Sequence, residues 1–176
     1  AILCEGRYRA YITSLSGTTN TITGSVTYPA TLTVESASKI TFAGAFDVLA
    51  EAAQASSYQI EGAGEQNSCV VFDGCVSYPG QVKVSGGFGD VFFNALSNAV
   101  GEIYLSGTAR VLFGSDYALS DGRTKLSQNT WSGVATFDFR GCDQHIGSLG
   151  QNRTYTTLTT SAGPMTLRVN QTEDIV

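Results

Sequence analysis

The sequence is poor in charge and in several residue types that often carry chemistry. Charged residues make up 14 % of its 176 residues, with one histidine, one methionine, one tryptophan and three prolines. A typical soluble domain is about 25 % charged. The net charge of −5 argues against a nucleic-acid partner and an anionic membrane surface, because both attract basic proteins. No apolar run reaches the roughly 18 residues of a membrane-spanning helix, so no membrane insertion is predicted.

Uncharged polar residues take the place of the missing charges, and their arrangement favours β-structure. Threonine, serine, glycine, asparagine and glutamine are abundant, and threonine with the aromatic residues suits a pleated surface. Apolar and polar residues alternate along most of the chain, as in half-buried strands. The longest such run, 102–113, places one set of side chains on a single face: Ile103, Leu105, Gly107, Ala109, Val111 and Phe113.

About ten alternating runs separated by turn signals predict an all-β fold. We expect an antiparallel β-sandwich, of jelly-roll or Ig-like type, with a closed β-barrel as the alternative. Asp121-Gly122 is the clearest hairpin turn, and residues 47–56 could form one short helix. No repeat of fixed period is visible, which argues against a solenoid. The whole chain, 1–176, is expected to be a single β-domain, with 1–15 and 160–176 as exchanged or peripheral end strands.

The four cysteines are Cys4, Cys69, Cys75 and Cys142. Their spacing lacks the paired C-x₂₋₄-C pattern of zinc sites and the C-x-x-C pattern of redox pairs. We therefore predict two disulfides, Cys69–Cys75 around a hairpin-like turn and Cys4–Cys142 between distant strands, with metal binding or free thiols as alternatives. Disulfides indicate an oxidising, extracellular compartment.

No catalytic constellation is recognisable, so the sequence predicts a protein that is not an enzyme and needs no cofactor. His145 lies in a Gly-flanked polar loop without a nearby nucleophile. Asp138 and Glu102 fall on the polar faces of their strands and are expected to be solvated. Asp116 and Asp121 lie in an oxygen-rich stretch that could bind calcium, although a plain turn explains them equally well.

Some aromatic residues could serve a binding surface instead of the core. Most phenylalanines occupy inward positions of alternating runs, whereas several tyrosines are less clearly buried and could stack on sugars: Tyr8, Tyr11, Tyr78, Tyr104 and Tyr117. Asn152 and Asn170 begin N-x-T sequons, which are glycosylation acceptors in a eukaryotic source only.

The stretches "PATLTVESASKITFAG", "SSYQIEGAG" and "TWSGVATFDF" resemble secreted bacterial pilin-like and adhesin-like β-sandwich subunits. The resemblance covers residues 30–140. Trp131 stands where a tyrosine would be expected, and the Cys4 and Cys142 pair is not part of the pattern. The resemblance implies an extracellular subunit that assembles into a fibre, an end strand of one copy completing the sheet of the next.

The expected function is therefore that of a secreted, non-enzymatic structural or adhesive surface protein that self-associates through strand edges. A secreted module that binds carbohydrate or a host protein is the alternative. The N-terminal segment is the favoured assembly strand, with Tyr8, Ala10 and Ile12 on one face, although pairing within the same chain is equally compatible with its pattern.

Overall fold

The protein is a parallel β-solenoid. Its structure, a computed structural model, describes residues 2–3, 11–28, 31–35, 37–48, 58–63, 68–85, 89–119, 122–128, 133–151 and 156–170. Every strand pair among these residues is parallel, and the strands stack as successive coils. Both the antiparallel sandwich and the closed barrel predicted from the sequence are therefore wrong.

The described strands form seven coils and the start of an eighth, where a coil is one circuit of the chain. Coils 1–3 each contain three strands: β1 (Ile2–Leu3), β2 (Tyr11–Ser14) and β3 (Thr19–Ile22); β4 (Val26–Tyr28), β5 (Thr31–Glu35) and β6 (Lys39–Phe42); β7 (Phe46–Val48), β8 (Tyr58–Ala63) and β9 (Cys69–Phe72).

Among the described residues, coils 4–6 each contain two strands, and coil 7 again contains three. Their strands are β10 (Val76–Ser85) and β11 (Asp90–Phe93); β12 (Ala99–Leu105) and β13 (Arg110–Phe113); β14 (Lys125–Gln128) and β15 (Ala135–Asp138); β16 (Gln144–Ile146), β17 (Ser148–Gln151) and β18 (Thr156–Thr159). Strand β19 (Leu167–Val169) begins coil 8.

Two long sheets run the length of the stack. Sheet A contains β1, β4, β7, β10, β12, β14 and β17, with β2, β5 and β8 beside the first strands. Sheet B contains β3, β6, β9, β11, β13, β15 and β18, and a small sheet C joins β16 to β19. Strand β10 pairs with both β7 and β8, and its register shifts between Tyr78 and Gln81. The three-strand coils therefore meet the two-strand coils at β10.

The coil length varies, which hides the repeat in the sequence. Along the first column of sheet B, Thr19, Lys39, Cys69, Asp90, Arg110 and Thr136 are aligned, so successive coils advance by 20, 30, 21, 20 and 26 residues. Insertions at the coil corners leave the stacked strands in register. The inference against a solenoid is thus wrong, because the repeat lies in strand positions and not in a fixed period.

The alternation of apolar residues is confirmed as the source of the core. Ile103, Leu105, Ala109, Val111 and Phe113 are all fully buried, as the run 102–113 predicts. Each of the larger side chains, Ile, Leu, Val and Phe, contributes roughly 1.5–3 kcal/mol relative to exposure. In a solenoid, however, these residues pack against the same positions of the coils above and below, and not against an opposing antiparallel sheet.

A ladder of phenylalanines occupies the end of sheet B in five successive coils. It consists of Phe42, Phe72, Phe93, Phe113 and Phe139, whose neighbouring rings are stacked with centroids 5.3–6.3 Å apart. Phe46 packs edge-on against the first two rings. Aromatic pairs in such geometries contribute about 0.5–1.5 kcal/mol beyond their buried area, so the ladder ties adjacent coils together.

The corner that follows this ladder requires glycine for space. A Cβ atom on Gly74 would clash with the carbonyl group of Gly44 and lie 2.9 Å from the nitrogen of Ala45; one on Gly44 would likewise clash with Gly24. None of these three glycines has a positive φ angle, so the requirement is steric. Each of the three glycines is the second residue after the end of its strand, in the tripeptides "TGS", "AGA" and "DGC" that follow β3, β6 and β9. Because glycine has no side chain, successive corners can stack closely.

Two buried side-chain amides hydrogen-bond the backbone of these same corners, which lead from sheet B to sheet A. Asn98 accepts a hydrogen bond from the backbone nitrogen of Val76 at 2.7 Å and donates to the carbonyl oxygen of Ala118 at 3.0 Å. Gln144 accepts from the nitrogen of Leu119 at 2.9 Å and donates to the carbonyl oxygen of Ser115. Because corner backbone groups lack strand partners, these side chains satisfy them across coils.

The sequence also predicted one short helix and one hairpin turn, and the described residues bear on both. Asp47 and Val48 belong to strand β7, and the remainder of the proposed helix 47–56 lies outside the described residues. Gly122 has a φ angle of 60°, but the flanking strands β13 and β14 do not pair with each other: β13 pairs with β11 and β15, and β14 with β12 and β17. The hairpin at Asp121-Gly122 is therefore wrong, because the turn leads to the next coil.

Candidate functional site

The last coil exposes side chains that are buried in every middle coil. Val111, Phe137 and Leu158 occupy one inward column of sheet B. The first two are 0 % and 1 % exposed, whereas Leu158 is 42 % exposed. Val169 in β19 is 37 % exposed, and Leu167 is only partly buried against the core. The described residues thus present apolar interior positions at this end of the stack.

The strands at both ends have one hydrogen-bonded neighbour each among the described residues. Strand β18 pairs with β15 and β17 with β14, while at the other end β3 pairs with β6 and β1 with β4. Neither β18, "TTLT", nor β3, "TNTI", contains a charge or a proline. Charged residues and prolines on an edge strand usually prevent it from pairing with a strand of another chain.

The predicted assembly strand is only partly described. Tyr8 and Ala10 lie outside the described residues. Ile12 lies in β2, which pairs in parallel with β5 of the same chain, and it packs against the core as a partly buried residue. Strands β1 and β2 therefore belong to the first coil. The edge of each strand that does not pair with coil 2 faces away from the stack.

The predicted disulfide Cys69–Cys75 is wrong. Cys69, Cys75 and Cys142 are free thiols. Cys69 begins β9, and three residues of extended strand rise about 10 Å before the corner that leads to Cys75, whereas a disulfide requires Cα atoms within roughly 7 Å. The Cys75 thiol instead donates to the carbonyl oxygen of Leu96 at 3.2 Å. The predicted Cys4–Cys142 disulfide is also wrong, because Cys142 is a free thiol; Cys4 itself lies outside the described residues.

The thiols of Cys69 and Cys142 are not activated. Burial raises the pKa of Cys69, an effect that Lys39 partly opposes and Asp90 reinforces. Burial also raises the pKa of Cys142, with a further increase from Asp116. A raised pKa lowers the fraction of thiolate, which is the nucleophilic and metal-binding form. Neither thiol therefore has the environment of a reactive cysteine.

Asp116, predicted as a possible calcium ligand, and His145, considered and rejected as a catalytic base, lie near the last corners. Asp116 accepts a hydrogen bond from the backbone nitrogen of Asp143 at 2.8 Å, and Asp121 lies outside the described residues. His145 lies in β16, and its ring is directly beside Gly122, where a Cβ would be 2.9 Å from Nε2. Within the described part of the chain, no group of three or more His, Cys, Asp or Glu side chains is arranged to hold a metal ion.

Asp138 is not solvated, contrary to expectation. Its position alternates with the buried Phe137 and Phe139, so it points outward, yet it is only 3 % exposed. Its Oδ1 accepts hydrogen bonds at 3.0 Å from the backbone nitrogens of Arg140 and Ser161. Burial by itself would raise the pKa of Asp138, but hydrogen bonds from Ser161 and Arg140 and the charge of Arg110 outweigh it and lower that pKa.

Glu102 lies on the exterior of sheet A, as predicted, within a cluster of five outward side chains. Its Oε2 accepts from Gln81 Nε2 at 2.7 Å, and its Oε1 accepts from the hydroxyl of Ser127 and lies 3.6 Å from Lys125 Nζ. Tyr104 is two residues further along the same face of β12 and is aligned with Ser127. We call Gln81, Glu102, Tyr104, Lys125 and Ser127 the Glu102 cluster.

The exterior of sheet B carries a second set of polar contacts. Arg110 forms a two-pronged ion pair with Asp90, with Nε–Oδ1 and Nη2–Oδ2 distances of 2.6 and 2.7 Å. The guanidinium of Arg140 lies over the Phe92 ring, 5.6 Å from its centroid. The charges of Arg110 and Asp90 are paired with each other, and Arg140 contacts Phe92. These groups therefore link neighbouring coils and do not form an open binding site.

Sequence reasoning missed the Glu102 cluster because its members belong to three strands that are adjacent only in the parallel stack. Gln81, Glu102 and Lys125 are aligned in β10, β12 and β14, and nothing in their spacing of 21 and 23 residues marks them as neighbours. The recurring phenylalanine before each corner, at Phe42, Phe72, Phe93 and Phe113, was the available signal for the register.

Fold and surface together define a parallel β-solenoid in which the first and last described strands of sheet B, β3 and β18, carry no charge. Comparison with protein families, with curated proteins and with solved structures gave no match to the chain. In the described part of the chain there is no helix of the length and apolarity that crossing a membrane demands.

Proposed function

We propose that this chain is a secreted, non-enzymatic structural or adhesive surface protein whose copies associate end to end by β-strand addition. The observation that carries the proposal is the exposure of Leu158 at the end of a column that is buried throughout the middle coils. In a stack whose coils contact only their neighbours, a further coil on this end would bury Leu158 as Phe137 is buried.

The two ends are compatible with head-to-tail stacking. The column that ends with Leu158 begins with Asn20, which is exposed and aligned with Ile40. If β3 of a second copy added to β18, Asn20 of that copy would cover Leu158 and the parallel sheet would continue. Such a contact joins two different surfaces, so it does not close after two copies and would extend into a filament.

The extracellular location is supported by composition. The low charge of 14 % and the abundance of threonine and serine fit a secreted β-protein. The Cys69–Cys75 disulfide no longer supports it, because both residues are free thiols.

Sedimentation velocity and electron microscopy of the full chain test the assembly. We expect wild-type protein to form larger species as its concentration rises. Leu158→Lys, which places a charge on the end face, should shift the distribution to monomers. The matched control is Leu96→Lys, because Leu96 is 59 % exposed at a corner of a middle coil, away from both ends. Thermal unfolding of each variant confirms that it is folded.

Wild-type protein that stays monomeric at every concentration would contradict the proposal. So would a Leu158→Lys variant that assembles as the wild type does, or a Leu96→Lys variant that loses assembly equally.

A further inference from the structure

Contacts within the Glu102 cluster fix the position of the Glu102 carboxylate without a ligand. Three side chains from neighbouring coils hold the Glu102 carboxylate: Gln81, Ser127 and Lys125. An ionised carboxylate has about four acceptor positions, so at least one remains for an incoming donor. The Lys125 side chain is 48 % exposed, and its ammonium can donate to a ligand as well as to Glu102. Both donors and acceptors therefore face outward from rigid strands.

The absence of a side chain at Gly150 helps to position Lys125. A Cβ at Gly150 would lie 3.1 Å from Lys125 Nζ and would clash with its Cε. Gly150 is aligned with Ser127 in the next coil. The lysine stem therefore rests over the glycine, which places its ammonium beside the Glu102 carboxylate.

Tyr104 adds an aromatic ring to this polar group. It is partly exposed, whereas its neighbours Ile103 and Leu105 are fully buried. Two residues along one face of a strand are about 6.6 Å apart, so Tyr104 occupies the position next to Glu102 on the outer face of β12. Lys83 is aligned with Tyr104 on the preceding coil. An apolar ring face beside fixed hydrogen-bonding groups suits a ligand that has apolar C–H faces and a rim of hydroxyls.

We propose that the Glu102 cluster binds a neutral saccharide, with Tyr104 stacking on a sugar face and Gln81, Glu102 and Lys125 bonding its hydroxyls. Glu102 offsets the charge of Lys125, so among the residues named here only Lys83 adds a net positive charge, and one cation does not make a polyanion the preferred ligand. The parallel strands fix these groups, which lowers the ordering cost of binding. This site is distinct from the end faces of the solenoid, and it does not require that the proposed assembly be correct.

Affinity gel electrophoresis of the full chain tests the site, with dextran, xylan, β-glucan and galactomannan as neutral probes and polygalacturonate as the anionic probe. We expect at least one neutral polysaccharide to retard the wild-type protein. Tyr104→Ala should weaken that association by about tenfold or more, equivalent to roughly 1.4 kcal/mol. Tyr117→Ala is the matched control, because Tyr117 is also exposed but lies at a corner of the chain.

Loss of retardation in Tyr104→Ala with an unchanged Tyr117→Ala variant would support the site. Glu102→Gln should weaken binding as well, since it alters the contact with Lys125 at nearly constant shape. The site is wrong if no neutral polysaccharide retards the protein, if only polygalacturonate does, or if both tyrosine variants bind like the wild type. Because Leu158→Lys should keep full saccharide binding, the outcome is independent of the assembly experiment.

Discussion

The middle coils and the last coil contain similar strands but differ in how much of their interior is covered. Val111 and Phe137 are enclosed by coils on both sides, whereas Leu158, in the same column, has a coil on one side only within the described part of the chain. The apolar character of the position is the same in each case. Burial in a solenoid therefore depends on the number of neighbouring coils, and a position that is core in the middle becomes a surface at the end.

This difference bears on stability as well as on association. In a stack where each repeat contacts only its neighbours, stability is approximately a sum of repeat and interface terms. The phenylalanine ladder contributes to interfaces from coil 2 to the corner after β15. The aligned position in the last coil is Thr160, beyond β18. We expect local opening to begin in the coils that lack ladder residues.

The largest effect should follow from removing a ring in the middle of the ladder. Phe93→Ala leaves a cavity between Phe72 and Phe113, and such a substitution costs about 3–5 kcal/mol. Leu158→Ala in the last coil should cost about 0.5 kcal/mol or less, as at an exposed site. Urea unfolding followed by circular dichroism measures both. Equal costs would show that the last coil is covered as fully as the middle ones.

A smaller effect is expected at the glycine corner. Gly74→Asn introduces a Cβ where the carbonyl of Gly44 already lies, and overpacking of this kind costs about 1–3 kcal/mol. Gly17→Asn is the control: Gly17 has a φ angle of 70° and nothing within 4 Å of a Cβ, and asparagine tolerates that conformation. Its cost should stay within about 0.5 kcal/mol, as measured by thermal unfolding. A Gly17 variant less stable than the Gly74 variant would contradict the steric account.

The smallest effect concerns pH and the turn after β18, which Asp138 holds through Ser161. Because the folded pKa of Asp138 is lowered, its ionised form stabilises the fold above the unfolded pKa of about 3.9. That contribution falls away as the pH drops through the lower folded value. Acid should therefore loosen residues 156–170 before the middle coils.

Hydrogen exchange of the wild type and of Asp138→Asn measures this effect. In the wild type, amides of residues 156–170 should lose protection at low pH, while those of β11 and β13 keep it. Asp138→Asn should show weaker protection of the same residues at neutral pH and little further change on acidification. Uniform loss across all coils would argue against a local role for Asp138.

The strand content and the core could be predicted from the sequence, but the fold and the candidate sites could not. Alternation placed Ile103, Leu105, Val111 and Phe113 in the interior correctly. It carries no information on whether the neighbouring strand is parallel, because both kinds of pairing place alternate side chains on one face. The Cys69–Cys75 bridge and the Asp121-Gly122 hairpin both assumed that strands adjacent in sequence pair with each other, and in a solenoid they do not.

The sequence by itself determined that this is an all-β chain with a low-charge, threonine-rich surface and with phenylalanine at recurring inward positions. Only the tertiary structure decided which strands lie side by side, because coil lengths from 20 to 30 residues bring distant residues into register through insertions at the corners. That register alone places Gln81, Ser127 and Lys125 around Glu102. It also leaves Leu158 without a coil beyond it among the described residues, since hydrogen bonding between parallel strands ends where the stack ends.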